Sequence, residues 1–418
     1  MPRSNQTPVR TSTRLKDVRY EIRGELARRA LELEAQGRDI VKLNIGNPGL
    51  FGFDVPDHLR RALAENVARS EAYCHQQGLL AAREAIAEQQ RARGALNASA
   101  QRIFIGNGVS ELIDLALRAL LDSGDEVLLP SPDYPLWSAA TLLNGGRARY
   151  YACPAQRAHL PDPVEIEALI TPRTRALVVI NPNNPTGAVY PRALLEALAR
   201  IAERHGLVLL SDEIYDGILF DGTEFVPLAQ VAGEVPTLSF GGLSKMHRAC
   251  GWRVGWVSLS GAANALADLE RALDLLGALR LCANVTGQWA IEPALHGPDT
   301  MTPLIVPGGR LAEARRAVIE ACAQSEFLDL VAPGGALYAF PAVRAGTLEG
   351  FDDETFALRL LEEEHILVVP GSGFNLAERN HFRVTLLPPP ARLRDVFGRI
   401  EGCLQRAAAV RQPARSVA

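Results

Sequence analysis

Lysine is almost missing from this chain. Of 44 basic residues only Lys16, Lys42 and Lys245 are lysines, so Lys245 stands alone through the last nine-tenths of the sequence. Arginine meets the ordinary needs for positive charge, and a lone lysine therefore points to chemistry a guanidinium cannot do. An amine can lose its proton and condense with a carbonyl, whereas arginine stays charged. Paired cysteines are lacking too: Cys74, Cys153, Cys250, Cys282, Cys322 and Cys403 are scattered, with no Cys-x-x-Cys. That excludes a disulfide framework and a zinc site and fits reduced thiols in the cytoplasm. No apolar run approaches a membrane span, and no hydrophobic signal core follows the start. A basic excess is also absent; the formal net charge of −4 argues against a nucleic-acid partner. The expectation is a cytoplasmic protein with no metal, no membrane contact and no nucleic acid.

What is present is a chain of 418 residues, nearly half of them apolar, longer than one core usually supports. Short apolar runs alternate with helical patterns. Ile103–Ile105, Val127–Leu129, Ala176–Ile180, Leu207–Leu210, Leu238–Phe240 and Val254–Leu259 read as strands. Segments 110–121 and 192–204 place apolar residues at helical spacing between them. Strands buried on both faces and joined by helices predict an α/β fold with a mostly parallel, doubly wound sheet. Beyond residue 305, helices over 310–324 and 353–364 mix with strands over 336–340, 366–369 and 382–386, a second and smaller α/β unit. The expected division is an N-terminal arm over 1–19, small-unit segments over 20–59 and 306–418, and a large unit over 60–305. The Arg/Ala-rich tail after Gln405 is expected to fray.

Ligands of such sheets bind where strands end and loops meet helix starts, and the unusual residue combinations fall there. Gly106-Asn107-Gly108-Val109-Ser110-Glu111 follows a strand and opens a helix, so its amides could hold an anion, although an ordinary capped turn would use the same residues. Asn181-Pro182-Asn183-Asn184-Pro185-Thr186-Gly187 is a rigid loop able to hold an amide against a ligand, with Asn184–Pro185 a candidate cis bond. Asp212, in Ser211-Asp212-Glu213-Ile214-Tyr215, ends a buried strand and needs a cationic partner or an N-capping role. A protonated pyridine nitrogen would serve; at ~4 Å and an effective dielectric near 20 the pair is worth about 4 kcal/mol. Gly241-Gly242-Leu243-Ser244-Lys245 precedes Arg248 and Arg253, and His381-Phe382-Arg383-Val384-Thr385 sets an arginine in an apolar strand. A buried arginine demands a carboxylate, either a structural partner or a ligand.

Together these motifs resemble class I/II aminotransferases of the aspartate aminotransferase superfamily, over nearly the whole chain. The likeness rests on Asn-Pro-Thr-Gly (184–187), Ser-Asp-Glu-Ile-Tyr (211–215) and Ser-Lys-x-x-Arg-x-x-Gly-x-Arg-x-Gly (244–255), in that order. Stretches 43–48, 132–137 and 280–284 look most like bacterial glutamate–pyruvate (alanine) aminotransferases. The resemblance implies a pyridoxal 5'-phosphate enzyme of fold type I, with Lys245 holding the cofactor as a Schiff base and moving the α-proton. Asp212 would pair with the ring nitrogen, Tyr215 and Asn184 would bond the phenolic oxygen, and Tyr134 would stack on the ring. Gly108, Val109, Ser110, Ser244 and Arg253 would hold the phosphate. Arg383 would clamp the substrate carboxylate with Asn184 and the Gly46 backbone. Tyr73 would reach the phosphate of a neighbouring subunit, making a homodimer with shared sites.

Gly242 stands where aspartate enzymes of the family often carry serine, which puts one phosphate contact in doubt. No second arginine for a side-chain carboxylate is evident, although Arg23, beside Tyr20, could meet glutamate's distal carboxylate. The expected reaction is ping-pong transfer between L-amino acids and 2-oxo acids, with alanine and 2-oxoglutarate as the pair. A carbon–sulfur β-lyase would share the cofactor residues. A ligand-sensing regulator would carry a DNA-binding domain, whereas only about 20 residues precede the matching region and the acidic balance opposes DNA contact.

Overall fold

The computed structural model describes residues 9–411. At its centre is a seven-stranded sheet: β1 (Ile103–Gly106), β2 (Glu126–Ser131), β3 (Arg147–Ala152), β4 (Thr174–Ile180), β5 (Val208–Asp212), β6 (Thr237–Gly242) and β7 (Gly255–Ser260). Their order is β1-β7-β6-β5-β4-β2-β3. Only β7 opposes its neighbours; the other adjacent pairs are parallel. The sheet is mostly parallel, as expected.

The strand pleat explains why both faces are apolar. Val127, Leu129, Val178 and Ile180 point into one layer, with Leu112 and Ile113 of helix α1 (Val109–Leu120) and Leu266, Leu269 and Leu273 of helix α3 (Ala263–Leu279). The alternate residues Leu128, Leu177, Val179 and Leu209 face the other layer, with Leu195 and Leu198 of helix α2 (Arg192–His205). Period 2 along the strands thus sends each side chain to a helix on its own side. Strand β3 escaped the sequence reading because it is an edge: Arg147 and Arg149 interrupt its apolar pattern, and arginines on a sheet edge discourage further pairing.

The second layer of structure gathers chain from both ends. Helices α4 (Arg310–Gln324), α5 (Asp353–Glu364) and α6 (Pro390–Arg411) pack around Leu328, Val343, Phe382, Val384 and Phe397. The N-terminal helix Glu25–Ala35 joins them through Ala30 and Leu33 against Leu361 and Leu367. The strand expected over 366–369 divides in two. Ile366–Leu367 pairs in parallel with Val41–Lys42, while Val369–Pro370 pairs with Arg383 and Phe382. One segment therefore ties the N-terminal chain to the strand that carries Arg383.

The frayed tail expected after Gln405 is corrected over 406–411, where α6 continues to Arg411; residues 412–418 lie outside the described residues. Arg406 pairs with Glu363 and Glu364 of α5 at 3.1 and 2.6 Å, and Ala407 and Ala408 rest against the core. In the expected arm, residues 1–8 lie outside the described residues, while Thr13–Asp17 forms a single 3-10 turn and Arg14 donates to the Leu143 carbonyl at 3.1 Å. Among the described residues, no helix is long and apolar enough to cross a membrane, and no cluster of His, Cys, Asp and Glu could hold a metal.

Candidate active site

The carboxyl ends of β4, β5 and β6 open onto one cavity of about 620 Å³. Asp212 is the last residue of β5, a position that buries its carboxylate at the edge of the core. Trp137 Nε1 donates to Oδ2 at 3.2 Å and the Ile214 amide donates to Oδ1 at 3.4 Å. Burial pushes this carboxyl up to about 6, against the pull of the two hydrogen bonds and of Lys245. A buried acid held by two long hydrogen bonds is poised for a cation from the cavity side. Trp137 is itself fixed edge-on to Phe240, centroids 5.3 Å apart.

In the 181–187 loop the asparagines divide the work. Asn181 Oδ1 accepts from the Tyr190 amide at 2.9 Å, and Asn183 Oδ1 accepts from the Thr186 hydroxyl at 2.8 Å. Those two build the loop. Asn184 instead turns outward to the site, its Oδ1 accepting from Arg383 Nη1 at 2.8 Å. The Asn184–Pro185 bond is cis, as are Asn181–Pro182 and Ser131–Pro132.

Arg383 is buried to about 1 % exposure. Its Nη2 donates to the Asn44 carbonyl, its guanidinium lies 4.2 Å over the Tyr338 ring and 4.8 Å from Phe374, and its Nε has no partner. Among the described residues no carboxylate pairs with it, so the structural ion pair considered from sequence is not there. A buried guanidinium with a spare donor is able to take a carboxylate.

Lys245 follows β6, and its Nζ donates to the Gly46 carbonyl at 2.7 Å. The glycines before it are dictated by packing. A Cβ on Gly242 would sit 2.8 Å from the Val254 carbonyl oxygen, and one on Gly241 would sit 2.7 Å from the Trp256 indole nitrogen. The absence of serine at 242 is thus a consequence of how closely β6 and β7 approach. Gly46 is held bare by the Tyr338 hydroxyl.

Gly108 has φ 85° and caps α1, placing Val109 and Ser110 in the first turn, whose amides lack helical acceptors. Arg253, in the left-handed region at φ 54°, lays its guanidinium against Gly108 and donates to the Cys250 carbonyl at 3.0 Å. Glu111 closes this loop: it accepts from the Asn107 amide at 2.7 Å and from Arg280 at 2.8 Å. Tyr134 lines the cavity and shares a 3.1 Å hydrogen bond with Tyr20. Tyr215 donates to Tyr338 at 3.1 Å. Burial drives the Tyr215 phenol well up. Burial also raises Tyr338, but Lys245 and Arg383 outweigh it and bring that phenol down.

The cavity brings together Gly46, Val109, Ser110, Tyr134, Asn184, Asp212, Tyr215, Ser244, Lys245, Arg253 and Arg383, with Tyr20 and Arg23 at its wall. Gly108 stands behind Val109. Tyr73 is elsewhere, 78 % exposed. Three residues were missed. Trp137 sits in the first turn of the helix Leu136–Leu143 and reaches the site only through Asp212. Tyr338 was read only as part of a strand. Cys250, with Sγ 3.9 Å from Lys245 Nζ, was counted among ordinary thiols.

The Aminotransferase class I and II family model matches residues 38–400. Glutamate-pyruvate aminotransferase AlaA of Escherichia coli K12 is 44% identical over 382 residues, 91% of this chain and 94% of that protein. The alanine aminotransferase of Mycobacterium tuberculosis H37Rv is 44% identical over 378 residues, 90% of this chain and 88% of that one. Among solved structures, an aminotransferase from Escherichia coli superposes with a TM-score of 0.94 at 43% identity, covering 96% of this chain and 99% of its own. An alanine aminotransferase from Pyrococcus furiosus gives 0.88 at 33% identity, covering 95% and 100%. The chain belongs to the class I and II aminotransferase family and is a transaminase.

Proposed function

We propose that the protein exchanges the amino group between L-alanine and 2-oxoglutarate, forming pyruvate and L-glutamate, with pyridoxal 5'-phosphate held in the 620 Å³ cavity. The observation that carries this reading is the buried Arg383 fork, with a spare donor and no acid beside it, in one cavity with Lys245 and Asp212. The alanine pair is supported by the names of the bacterial relatives.

The residues fit the cofactor at each of its parts. Asp212 is a buried acid whose carboxyl a ring cation would hold ionised. The first turn of α1, Ser244 and Arg253 offer amides, a hydroxyl and a guanidinium to a phosphate dianion. Tyr134 lines the cavity where a ring would stack, and Trp137 holds Asp212 from behind. When bound, pyridoxal phosphate supplies an aldehyde that condenses with amines and a ring that withdraws electron density from the substrate α-carbon.

Lys245, whose Nζ donates to Gly46 in the cofactor-free chain, would bind the aldehyde and later carry the α-proton. Arg383 would grip the α-carboxylate, with Asn184 fixing the fork and donating its own amide into the cavity. Tyr215, turning its hydroxyl from Tyr338, would donate to the cofactor's phenolic oxygen. Arg23 would meet the distal carboxylate of glutamate, which alanine lacks. We further assign residues 60–305 to cofactor binding, and 20–59 with 306–418 to a unit that shelters substrate. Six free thiols fit a reducing cytoplasm.

A homodimer completes the reading. Tyr73 would reach the partner's phosphate, and exposed Val67, Leu275, Leu279 and Leu281 on neighbouring segments would be covered by the second copy. The test is direct. Purified protein given L-alanine and 2-oxoglutarate should release pyruvate, and Lys245→Arg should not. Steady pyruvate release from cystathionine without any oxo acid would replace this reading with a β-lyase.

A further inference from the structure

Tyr215 carries one hydroxyl hydrogen, and two acceptors compete for it. In the cofactor-free chain that hydrogen goes to Tyr338 Oη at 3.1 Å. When Tyr215 bonds the cofactor's phenolic oxygen, the hydrogen must turn away and the Tyr338 oxygen loses its donor. Both residues are buried, each 3 % exposed, so water is not at hand to replace it. A phenol oxygen accepts as well as donates. The pair stays bonded only if Tyr338 reverses its role and donates its own hydrogen to Tyr215 Oη.

The surroundings hold Tyr338 in place for that reversal. It opens the short strand Tyr338–Ala339, which runs antiparallel to the strand that carries Arg383. The Arg383 guanidinium lies 4.2 Å over its ring, and the Tyr215 ring meets it edge-on with centroids 5.8 Å apart. Its hydroxyl end is set against Gly46, where a Cβ would run into it. The titratable groups facing the pair are Lys245, Arg383 and Cys250 around Tyr338, and Tyr134 and Arg383 around Tyr215. Burial raises both phenols, but Lys245 and Arg383 bring Tyr338 below its ordinary value while Tyr215 stays well above. Tyr338 is thus the more acidic of the two, and a hydrogen bond running from Tyr338 to Tyr215 follows that gradient.

We propose that Tyr338 is a positioning residue that acts on the cofactor through Tyr215. With the cofactor bound it donates to Tyr215 Oη and strengthens the bond that Tyr215 donates to the phenolic oxygen, because hydrogen bonds in series polarise one another. Each hydrogen stays on its own oxygen, and no proton is transferred. The proposal rests on the assignment of Tyr215 to that oxygen. A donor aimed at the phenolic oxygen draws electron density from it and favours loss of the proton it shares with the Lys245 nitrogen. Taking away the Tyr338 hydroxyl should therefore hold that proton to higher pH.

The visible absorbance of the bound cofactor is titrated against pH in the parent, Tyr338→Phe, Tyr215→Phe and the double variant. Tyr338→Phe keeps the ring beneath Arg383 and removes one oxygen. Its transition should lie roughly half a unit above the parent's, and that of Tyr215→Phe higher still. In the Tyr215→Phe background, Tyr338→Phe should add nothing, the mark of action through Tyr215. KM for alanine should stay near the parent's, since the ring is retained. A raised KM with an unmoved transition would make Tyr338 a prop for Arg383 alone and overturn the proposal. Equal shifts in both backgrounds would overturn it too, because Tyr338 would then act without Tyr215. If Tyr215→Phe leaves the transition in place, the assignment of Tyr215 fails and takes the proposal with it; if no visible absorbance appears on loading, the cofactor reading itself fails. Replacing Tyr338 by 3-fluorotyrosine preserves the packing even where the Phe variant unfolds. Its more acidic hydroxyl, still protonated, should move the transition down, and a transition unmoved or raised would contradict the relay.

Discussion

Lysine at position 383 would keep the charge and lose the fork. The guanidinium bonds Asn184 and the Asn44 carbonyl while leaving Nε for a ligand, and it stacks on Tyr338. An ammonium is a compact point charge that cannot do all of this. Arg383→Lys should therefore raise KM for alanine and for 2-oxoglutarate together, by roughly ten- to a hundredfold if one charged hydrogen bond is lost. Steady-state kinetics with each substrate varied in turn would check it; a change for only one substrate would count against a shared carboxylate clamp. Asp212 makes a different prediction, about pH. Its carboxyl is raised to about 6 by burial, so the folded chain holds that proton more tightly than the unfolded chain, where the value is about 4. The stabilisation is present below the unfolded value and is lost as pH climbs through 6. Cofactor-free Asp212→Asn should accordingly melt above the cofactor-free parent at pH 7, with the gap closing as pH falls toward 4. Scanning calorimetry across that range reads the effect, and a gap that widens toward acid would contradict it. Glu213, raised to about 7 by the same burial, titrates in both proteins and so cancels in the comparison.

Strands and the turns that leave them set how close these side chains can come. Gly242 separates a serine-bearing family pattern from this one because β6 and β7 run too near each other for a Cβ. Gly242→Ser must push the Val254 carbonyl aside and shift Ser244 and Lys245 with it. Such overpacking costs about 1–3 kcal/mol, and the variant should show a lower melting temperature and weaker cofactor retention than the parent. Unchanged melting would mean that the strands separate easily. The same scale explains what was legible beforehand. Runs such as Ala176–Ile180 announce themselves because a strand buried on both faces has no polar alternate. Helices over 310–324 and 353–364 were readable to the residue, and their starts coincide with Gly309 and the acidic cap Asp352. Strand β3 was not, because its arginines face solvent. Trp137 and Tyr338 stayed hidden for a different reason. Both meet the site only through tertiary packing: Trp137 reaches Asp212 across 75 residues of chain, and Tyr338 meets Tyr215 across 123. The motif residues could be found because they sit at strand ends. Their supports sit elsewhere, and a single sequence carries no record of that distance.

For the molecule as a whole, the exposed Tyr73 is the informative residue, since nothing in its own cavity needs it. If each site is built from Lys245 of one chain and Tyr73 of the other, damage to the two residues should be separable between subunits. Homodimers of Lys245→Ala have no amine in either site, and homodimers of Tyr73→Ala have weakened phosphate binding in both. Mixing the two and allowing exchange creates a heterodimer with one doubly damaged site and one fully intact site. Random pairing makes half of the dimers mixed, so specific activity should rise to about a quarter of the parent value, well above either variant alone. The heterodimer can be isolated with two affinity tags, and its cofactor content counted by absorbance as well as by turnover. No recovery in the purified heterodimer would mean that Tyr73 serves its own chain or none. Leu279→Glu offers an independent handle, because a charge within the exposed apolar segment should shift the protein to monomer in light scattering. That monomer should lose cofactor in step with its dissociation, which a purely structural effect of the substitution on α3 would not reproduce when the protein is concentrated back into dimer.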